Sequence, residues 1–249
     1  MRGLRIAWSA AGLAALIAAW QIGYRTLGPF VLPAPAETAA RLLAIVASGT
    51  AAPAIAVTAT DALGGWLAGA AFGFVLGLIG GSAPPLRAAL RPVATVILGV
   101  PPIAWVVLSL LWFGPRGIGA AFTVLLTTLP VVFAGAFQGV QARDPRLSEM
   151  ARAFGAPMLL RLRAIILPQL LDFLLPALAT ALALAWKVAV MAEVLGGGTG
   201  IGGEIATARA HLDLPETLAW IVIAVVLLLA CDALLLAPIR RRTAAATRC

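Results

Sequence analysis

The sequence predicts an all-α, polytopic membrane protein with six transmembrane helices, and three observations predict it. Hydrophobic residues make up 62% of the 249-residue chain and charged residues 11%, with a mean hydropathy of +1.02. Soluble domains carry about 25% charged residues. Apolar runs of roughly eighteen or more residues recur, each long enough to cross hydrocarbon about 30 Å thick. The basic residues gather beside these runs on one side. With both termini inside, only Arg25, Arg41, Arg116 and Arg209 of the 18 Lys and Arg fall on the outer side, and Lys187 lies within a span. That asymmetry is the positive-inside bias. It explains the net charge of +8 as orientation in a membrane and not as affinity for nucleic acid.

Residues 1–50 form the first unit. Arg2 and Arg5 precede an apolar run from Ile6 to Tyr24, which has no small-residue cleavage site and reads as an uncleaved first span. The turn-rich stretch Gly28 to Pro35 follows. Glu37 to Val46 has amphipathic spacing, ends at Ser48-Gly49, and reads as an interfacial helix on the far side.

Residues 51–240 form the core. The second span starts between Ile55 and Leu63 and ends at Gly81. Gly65, Gly69, Gly73, Gly77 and Gly81 recur every fourth residue along one face, and small residues let helix backbones approach closely in lipid. Packing against a neighbouring span within the chain is preferred over a subunit interface. Asp61 falls near the outer end. An inside connection from Ser82 to Pro92 leads to a third span, Val93 to Phe113, broken at Gly99-Val100-Pro101-Pro102. Such breaks survive in a membrane only where protein or a wet cavity satisfies the freed backbone. Gly114 to Gly117 is an outside turn. The fourth span, Ile118 to Val140, carries Pro130 as a second break.

A segment at 141–167 then leaves the membrane, since Arg152, Arg161 and Arg163 cannot all lie in hydrocarbon. Gly155 with Ala156-Pro157 divides it into helix, sharp turn and short helix. The fifth span runs from Pro168 to Leu195 and holds Lys187 and Glu193. Six residues separate them, about 1.7 turns, so they point to nearly opposite faces. The glycine-rich run Gly196 to Gly203 lacks the Gly-Lys-Ser/Thr ending of a phosphate loop. Glu204 to His211 reads as one short helix. The last span runs from Glu216 to Ala237, stopped by Arg240-Arg241-Arg242, and residues 241–249 are a cytoplasmic tail.

The segment Glu149-Met150-Ala151, three residues, Gly155, nine residues, Ile165, Ile166, Leu167-Pro168 resembles the EAA signature of binding-protein-dependent ABC importer permeases, with Met150 replacing the first alanine. The resemblance implies the type I importer fold. In it, Glu149, Ala151, Gly155, Ala156, Pro157, Leu167 and Pro168 form a cytoplasmic coupling helix and its turn, docked on an ATP-binding subunit. Leu32-Pro33-Ala34-Pro35-Ala36-Glu37 and Val100 to Trp105 look like the nitrate, sulfonate and taurine subfamily. The resemblance further implies a homodimer, two ATP-binding cassette subunits holding ATP and Mg, and a periplasmic or extracellular solute-binding protein. It places the chain in a bacterial inner membrane. This chain itself needs no cofactor.

No catalytic set is visible. His211 is the single histidine, and Cys231 and Cys249 suggest neither a pairing nor a metal site. Candidate pathway or gate residues are Pro101, Pro102, Trp105, Pro130, Trp186, Lys187 and Glu193. A lysine near a helix centre costs about 2.5–3.5 kcal/mol on insertion scales, and such residues usually face a bundle interior or wet cavity. Lys187 is therefore expected to suit the pathway to a small anionic or organic solute, although snorkelling or a bond to Asp232 would also account for it. Glu193 has a plainer role open to it, a hydrogen bond to the glycine-rich backbone. The rival class is a carrier driven by an ion gradient. Such carriers often repeat their broken helices in two halves, whereas Pro101-Pro102 and Pro130 fall in adjacent spans.

Overall fold

The computed structural model describes residues 2–114, 118–231 and 233, and every described element is helical. Four sequence readings lie outside the described residues: the Pro115-Arg116-Gly117 part of the outside turn, Asp232, the end of the last span up to Ala237, and the Arg240-Arg241-Arg242 stop with the tail 241–249.

The helices are α1 (Arg2–Leu27), α2 (Pro35–Ala47), α3 (Ala51–Ser82), α4 (Pro84–Gly99), α5 (Pro102–Phe113), α6 (Gly119–Gln141), α7 (Pro145–Ala153), α8 (Met158–Arg161), α9 (Leu167–Gly196), α10 (Ile201–Ala210) and α11 (Leu214–Cys231). By length and composition α3, α6, the continuous Met158–Gly196 helix and α11 can each cross a membrane, and the α4–α5 pair makes a fifth if counted as one span. That makes four or five candidate spans among the described residues, and α1, 26 residues long, is not one of them by this measure.

At the centre, α6 lies between α3 and α9, which also touch each other. The glycine stripe makes this possible. A Cβ at Gly65 would lie 2.6 Å from Val124 Cβ, at Gly73 2.5 Å from the Leu129 carbonyl, at Gly77 2.6 Å from Ala136 Cβ, and at Gly81 2.6 Å from Val140 Cβ. Real Cβ atoms do not approach so closely, so only glycine permits this spacing. Internal packing, and not a subunit interface, uses the stripe. On the other flank of α6, Gly135 and Gly139 play the same part towards Ala177 and Leu170 of α9. The smaller α10 and α11 pack on α9, and α2 packs on α11 through a cluster of Ile45, Ala54, Ile201, Trp220 and Ile223. The α1 helix meets the rest mainly through α2, with Trp20 Nε1 donating to the Pro33 carbonyl at 3.0 Å.

Three boundaries differ from the sequence reading, and the expected break in the third span is present. The second span begins earlier, at Ala51, because Ala51 and Ala54 are buried against Trp220 and its neighbours. The inside connection is helical from Pro84, with Pro92 inside α4. Pro84 sits at the helix start, where its missing N–H has no intrahelical partner to lose. The break at Pro101-Pro102 is a 90° bend, since two adjacent residues lack the N–H that would continue α4. The fifth span does not begin at Pro168. Helix runs on from Met158 through a π turn at Leu162–Ile166. There Leu167 N donates to the Leu162 carbonyl, an i→i−5 bond that accommodates the missing N–H of Pro168.

Pro130 does not break its helix. It lies fully buried inside an unbroken α6. Thr127 and Thr128 donate back to the carbonyls of Thr123, Val124 and Leu125, and the flanking helices exclude lipid. Proline is tolerated in membrane helices under these conditions.

Gly77→Ala should therefore destabilise the bundle by about 1–3 kcal/mol, the usual range for an overpacked contact. Gly64→Ala, one residue before the stripe and with nothing within 4 Å of its Cβ position, should be neutral or slightly stabilising through helix propensity. Thermal unfolding of the two purified variants in the same detergent checks this. Equal melting temperatures would remove the stripe as the packing determinant.

Candidate functional site

Two places stand out, one at each end of the bundle. The first is the turn between α6 and α9. Asp144 caps α7, its Oδ1 accepting from Arg146 N at 2.8 Å, and Pro145 follows at the first helical position. Asp144 N donates to Gln169 Oε1 at 2.9 Å, which ties the start of α7 to α9.

The end of α7 is closed by backbone alone. Ala156 N donates to the Ala151 carbonyl at 2.9 Å and Gly155 N to the Arg152 carbonyl at 3.0 Å. These are the two bonds of a Schellman motif, which needs a left-handed residue between them. Gly155 supplies it with φ 65°. Ala151 is buried and Ala156 half-buried, so small side chains fit the reversal. Pro157 then caps the helix that starts at Met158. Glu149 is exposed and makes no hydrogen bond or ion pair among the described residues; the turn does not depend on it.

The same turn displays apolar side chains. Phe154 is 83% exposed, and Met150, Met158, Leu159 and Leu160 are more than half exposed. They stand among Arg146, Arg152, Arg161 and Arg163, all in elements that leave the central bundle. This cluster was not legible from sequence, because its apolar residues are spread over two helices and a turn.

The second place is a cleft of about 240 Å³ at the opposite end. Its walls come from the N-terminal half of α3 (Val57, Asp61), the end of α5 (Ser109, Leu110), the start of α6 (Gly119, Ala120), the end of α9 (Ala192, Glu193) and the loop Gly198-Thr199. Glu193 is buried and organises this end. Its Oε2 accepts from Thr58 Oγ1 at 2.9 Å and from Gly202 N at 2.8 Å. Thr58 Oγ1 accepts in turn from Ile201 N at 2.9 Å. The first N–H groups of a helix have no intrahelical acceptor, and here the start of α10 is satisfied by α3 and α9. Gly200 and Gly202 allow it. A Cβ on Gly200 would lie 2.5 Å from Glu193 Oε1, and one on Gly202 would lie 2.5 Å from Glu193 Cβ. The expected bond from Glu193 to the glycine-rich backbone is thus present.

Thr58 and its link to Glu193 were missed from sequence. The signal was available, since seven residues before Gly65 on the stripe face is Thr58, and both are fully or nearly buried.

The other pathway candidates are not gathered at this cleft. Lys187 is exposed in an apolar groove of about 280 Å³ between α9, α10 and α11. It is on a different side of α9 from Glu193, as their spacing required. Trp186 is buried and donates to Cys231 Sγ at 2.9 Å. Trp105 is half-buried on α5, and Pro101 and Pro102 form the bend. Pro130 borders a third hollow, about 320 Å³ in volume, with Arg91, Thr95, Gln138 and Gln141. No group of three or more metal-binding side chains occurs among the described residues.

Residues 73–241 match the family model described as binding-protein-dependent transport system inner membrane component. A Bacillus subtilis protein named as an aliphatic sulfonates transport permease is 28% identical over 84% of this chain and 77% of its own. The riboflavin transport system permease of Chloroflexus aurantiacus is 30% identical over 85% of this chain and 81% of its own. The taurine transport system permease of Escherichia coli is 28% identical over 85% and 79%. Among solved structures, an amino acid ABC transporter crystallised with histidines superposes with a TM-score of 0.65 at 20% identity, covering 80% of this chain and 97% of that one.

Thr58→Val should break the link between α3, Glu193 and the start of α10. Losing one buried hydroxyl with two partners costs about 1–3 kcal/mol. Amide hydrogen exchange at Ile201 and Gly202 should accelerate by roughly tenfold or more, while α6 amides stay protected. Unchanged exchange at those two amides would show that the glycine-rich loop is held by something else.

Proposed function

Because the chain belongs to the binding-protein-dependent transport system inner membrane component family, we propose how it works as the permease subunit of an ABC importer. Two copies of the chain line the pathway for a small solute. The turn from α7 to Met158 lies in the cytoplasm and docks on an ATP-binding subunit, one per copy. ATP and Mg are held and hydrolysed there. A solute-binding protein delivers cargo at the opposite end, where the cleft lies. Both termini are cytoplasmic and the chain crosses a bacterial inner membrane six times.

The observation that carries this reading is the exposed apolar cluster around Phe154 at an arginine-rich turn. Exposed apolar surface rimmed by polar residues marks a protein interface. The arginines argue against lipid contact at that height.

The helical connections supply the mechanics. Force applied at α7 passes into α6 along the chain and into α9 through Asp144 and Gln169. The glycine contacts lock α3 and α9 onto α6. A body so tightly packed moves as a unit, since interiors at crystal-like density transmit strain. Closure of two ATP-binding subunits would then swing the two permease copies against each other, a rigid-body alternation of access. The bend at Pro101-Pro102 lets α4 and α5 lie along different faces of that body.

Phe154→Asp should lower the amount of ATP-binding subunit retained on the purified permease at least tenfold, with membrane insertion unchanged. Gly155→Val forces a β-branched residue to a positive φ. It should abolish cargo-stimulated ATP hydrolysis while leaving insertion intact. Full retention in Phe154→Asp together with full stimulation in Gly155→Val would exclude the turn as the coupling element.

A further inference from the structure

We infer that the hollow between α4 and α6 is a site for an anionic phospholipid of the leaflet on the α7 side, its phosphate held by Arg91 with Arg87 beside it. The inference needs the chain to cross a membrane and does not depend on the coupling role of α7.

The hollow, about 320 Å³ in volume, has a lining graded along the helices. The end of α3 at Gly81 meets Val140 of α6, so α4 starts at the same end of the bundle as α7. Towards that end stand Arg91 and Thr95 of α4 and Gln138 and Gln141 of α6. Away from it the walls are apolar, with Leu98 on α4 and Ala134, Phe133 and Pro130 on α6. Pro130 and Gln141 are eleven positions apart, roughly 16 Å along a helix at about 1.5 Å per residue. One leaflet of a hydrocarbon core about 30 Å thick has a similar depth. A soluble anion would use only the polar end. A phospholipid matches the whole gradient, with its phosphate at the polar end and an acyl chain along the apolar walls.

The polar end is cationic. Arg87 and Arg91 are four positions apart on α4, so they share a face. The Arg87 guanidinium carbon lies 6.0 Å from the centre of the Phe137 ring, which is itself a wall of the hollow. Arg87 Nε is buried with no hydrogen-bond partner among the described residues. Neither arginine is in an ion pair there, since Arg41 makes both of those that occur. A buried donor left unanswered is costly, so this is a centre in want of an acceptor. Of the ten acids in the chain, only Asp232 lies outside the described residues. It follows α11, a helix packed on α2, α9 and α10.

The donors suit a phosphate. Thr95 turns its hydroxyl proton to the Arg91 carbonyl at 2.9 Å, which leaves the Arg91 guanidinium and two glutamine amides to face the ligand. A guanidinium can hold both non-bridging oxygens of a phosphodiester at once. Basic pockets between membrane helices bind anionic head groups in this way.

The test titrates full-length protein, purified in detergent and stripped of lipid, with phosphatidylglycerol or phosphatidylcholine of the same chains. Native mass spectrometry reads the affinity of the first lipid bound. Phosphatidylglycerol should bind roughly tenfold tighter, as two arginines near a membrane surface predict. Arg91→Gln should reduce that preference severalfold, and Arg91→Lys, which keeps the charge, should retain most of it. Gln138→Glu should weaken phosphatidylglycerol and leave phosphatidylcholine unchanged. Positions 91 and 138 are both exposed, so these variants leave the packed core intact. No preference between the lipids, an unchanged preference in both Arg91→Gln and Gln138→Glu, or loss of a second copy in place of bound lipid in Arg91→Gln would overturn the assignment. So would displacement of phosphatidylglycerol by millimolar inorganic phosphate or ethanesulfonate, which would make the hollow a site for a soluble anion. Retention of the ATP-binding subunit tests the permease reading separately.

Discussion

The distance between α3 and α6 governs this molecule. Glycine at every fourth position of α3 lets the backbone of α6 approach until carbonyls and Cβ atoms of α6 occupy the space where side chains would stand. In hydrocarbon no solvent-driven collapse holds two apolar helices together, and close packing has to do it. α6 repeats the device with Gly135 and Gly139 towards α9. The result is a three-helix body with α6 in the middle. Each end of that body meets one of the two candidate sites. One end of α6 runs into the capped turn of α7, and the other forms a wall of the cleft. No flexible linker separates the two.

Backbone groups that cannot reach water dictate the rest. Two features that look like weaknesses in sequence are resolved. Pro168 is accommodated by a π turn. The N–H groups opening α10 are taken by Thr58 and Glu193, which come from two other helices. The double proline at 101–102 goes unrepaired, and there the chain turns by 90°. One proline can be absorbed by a local adjustment; two in succession remove adjacent donors, and the helix ends.

Local chemistry was legible and long-range pairing was not. Gly155 announced a reversal because few residues accept a positive φ, and the structure has φ 65° there. The glycine stripe announced close helix contact by periodicity alone, though not which helix would fill it. Lys187 drew attention as an expensive residue in an apolar run, yet cost says nothing about direction, and the neighbouring helices place it in a groove away from Glu193. Pro130 was read as a break because a proline removes a helix N–H, whereas the burial that encloses it in an unbroken α6 exists only once α3 and α9 pack there. The cleft itself could not be read, since Asp61 and Glu193 are 132 positions apart in sequence and meet only because α3 and α9 pack in one direction along α6. The exposed cluster at Phe154 was hidden for a related reason: apolar residues in an apolar chain carry no contrast until burial separates them.

Glu193 brings these strands together. A carboxylate at the rim of a membrane bundle is expensive unless both oxygens are satisfied. The glycine-rich loop must be tied down, or a ten-residue helix would start with unanswered donors. One oxygen committed to Thr58 and Gly202 ties it, with Thr58 passing the bond on to Ile201. The other oxygen is buried and has no partner among the described residues. Capping from two other helices explains why an acceptor stands at position 193 and why glycines stand opposite it at 200 and 202.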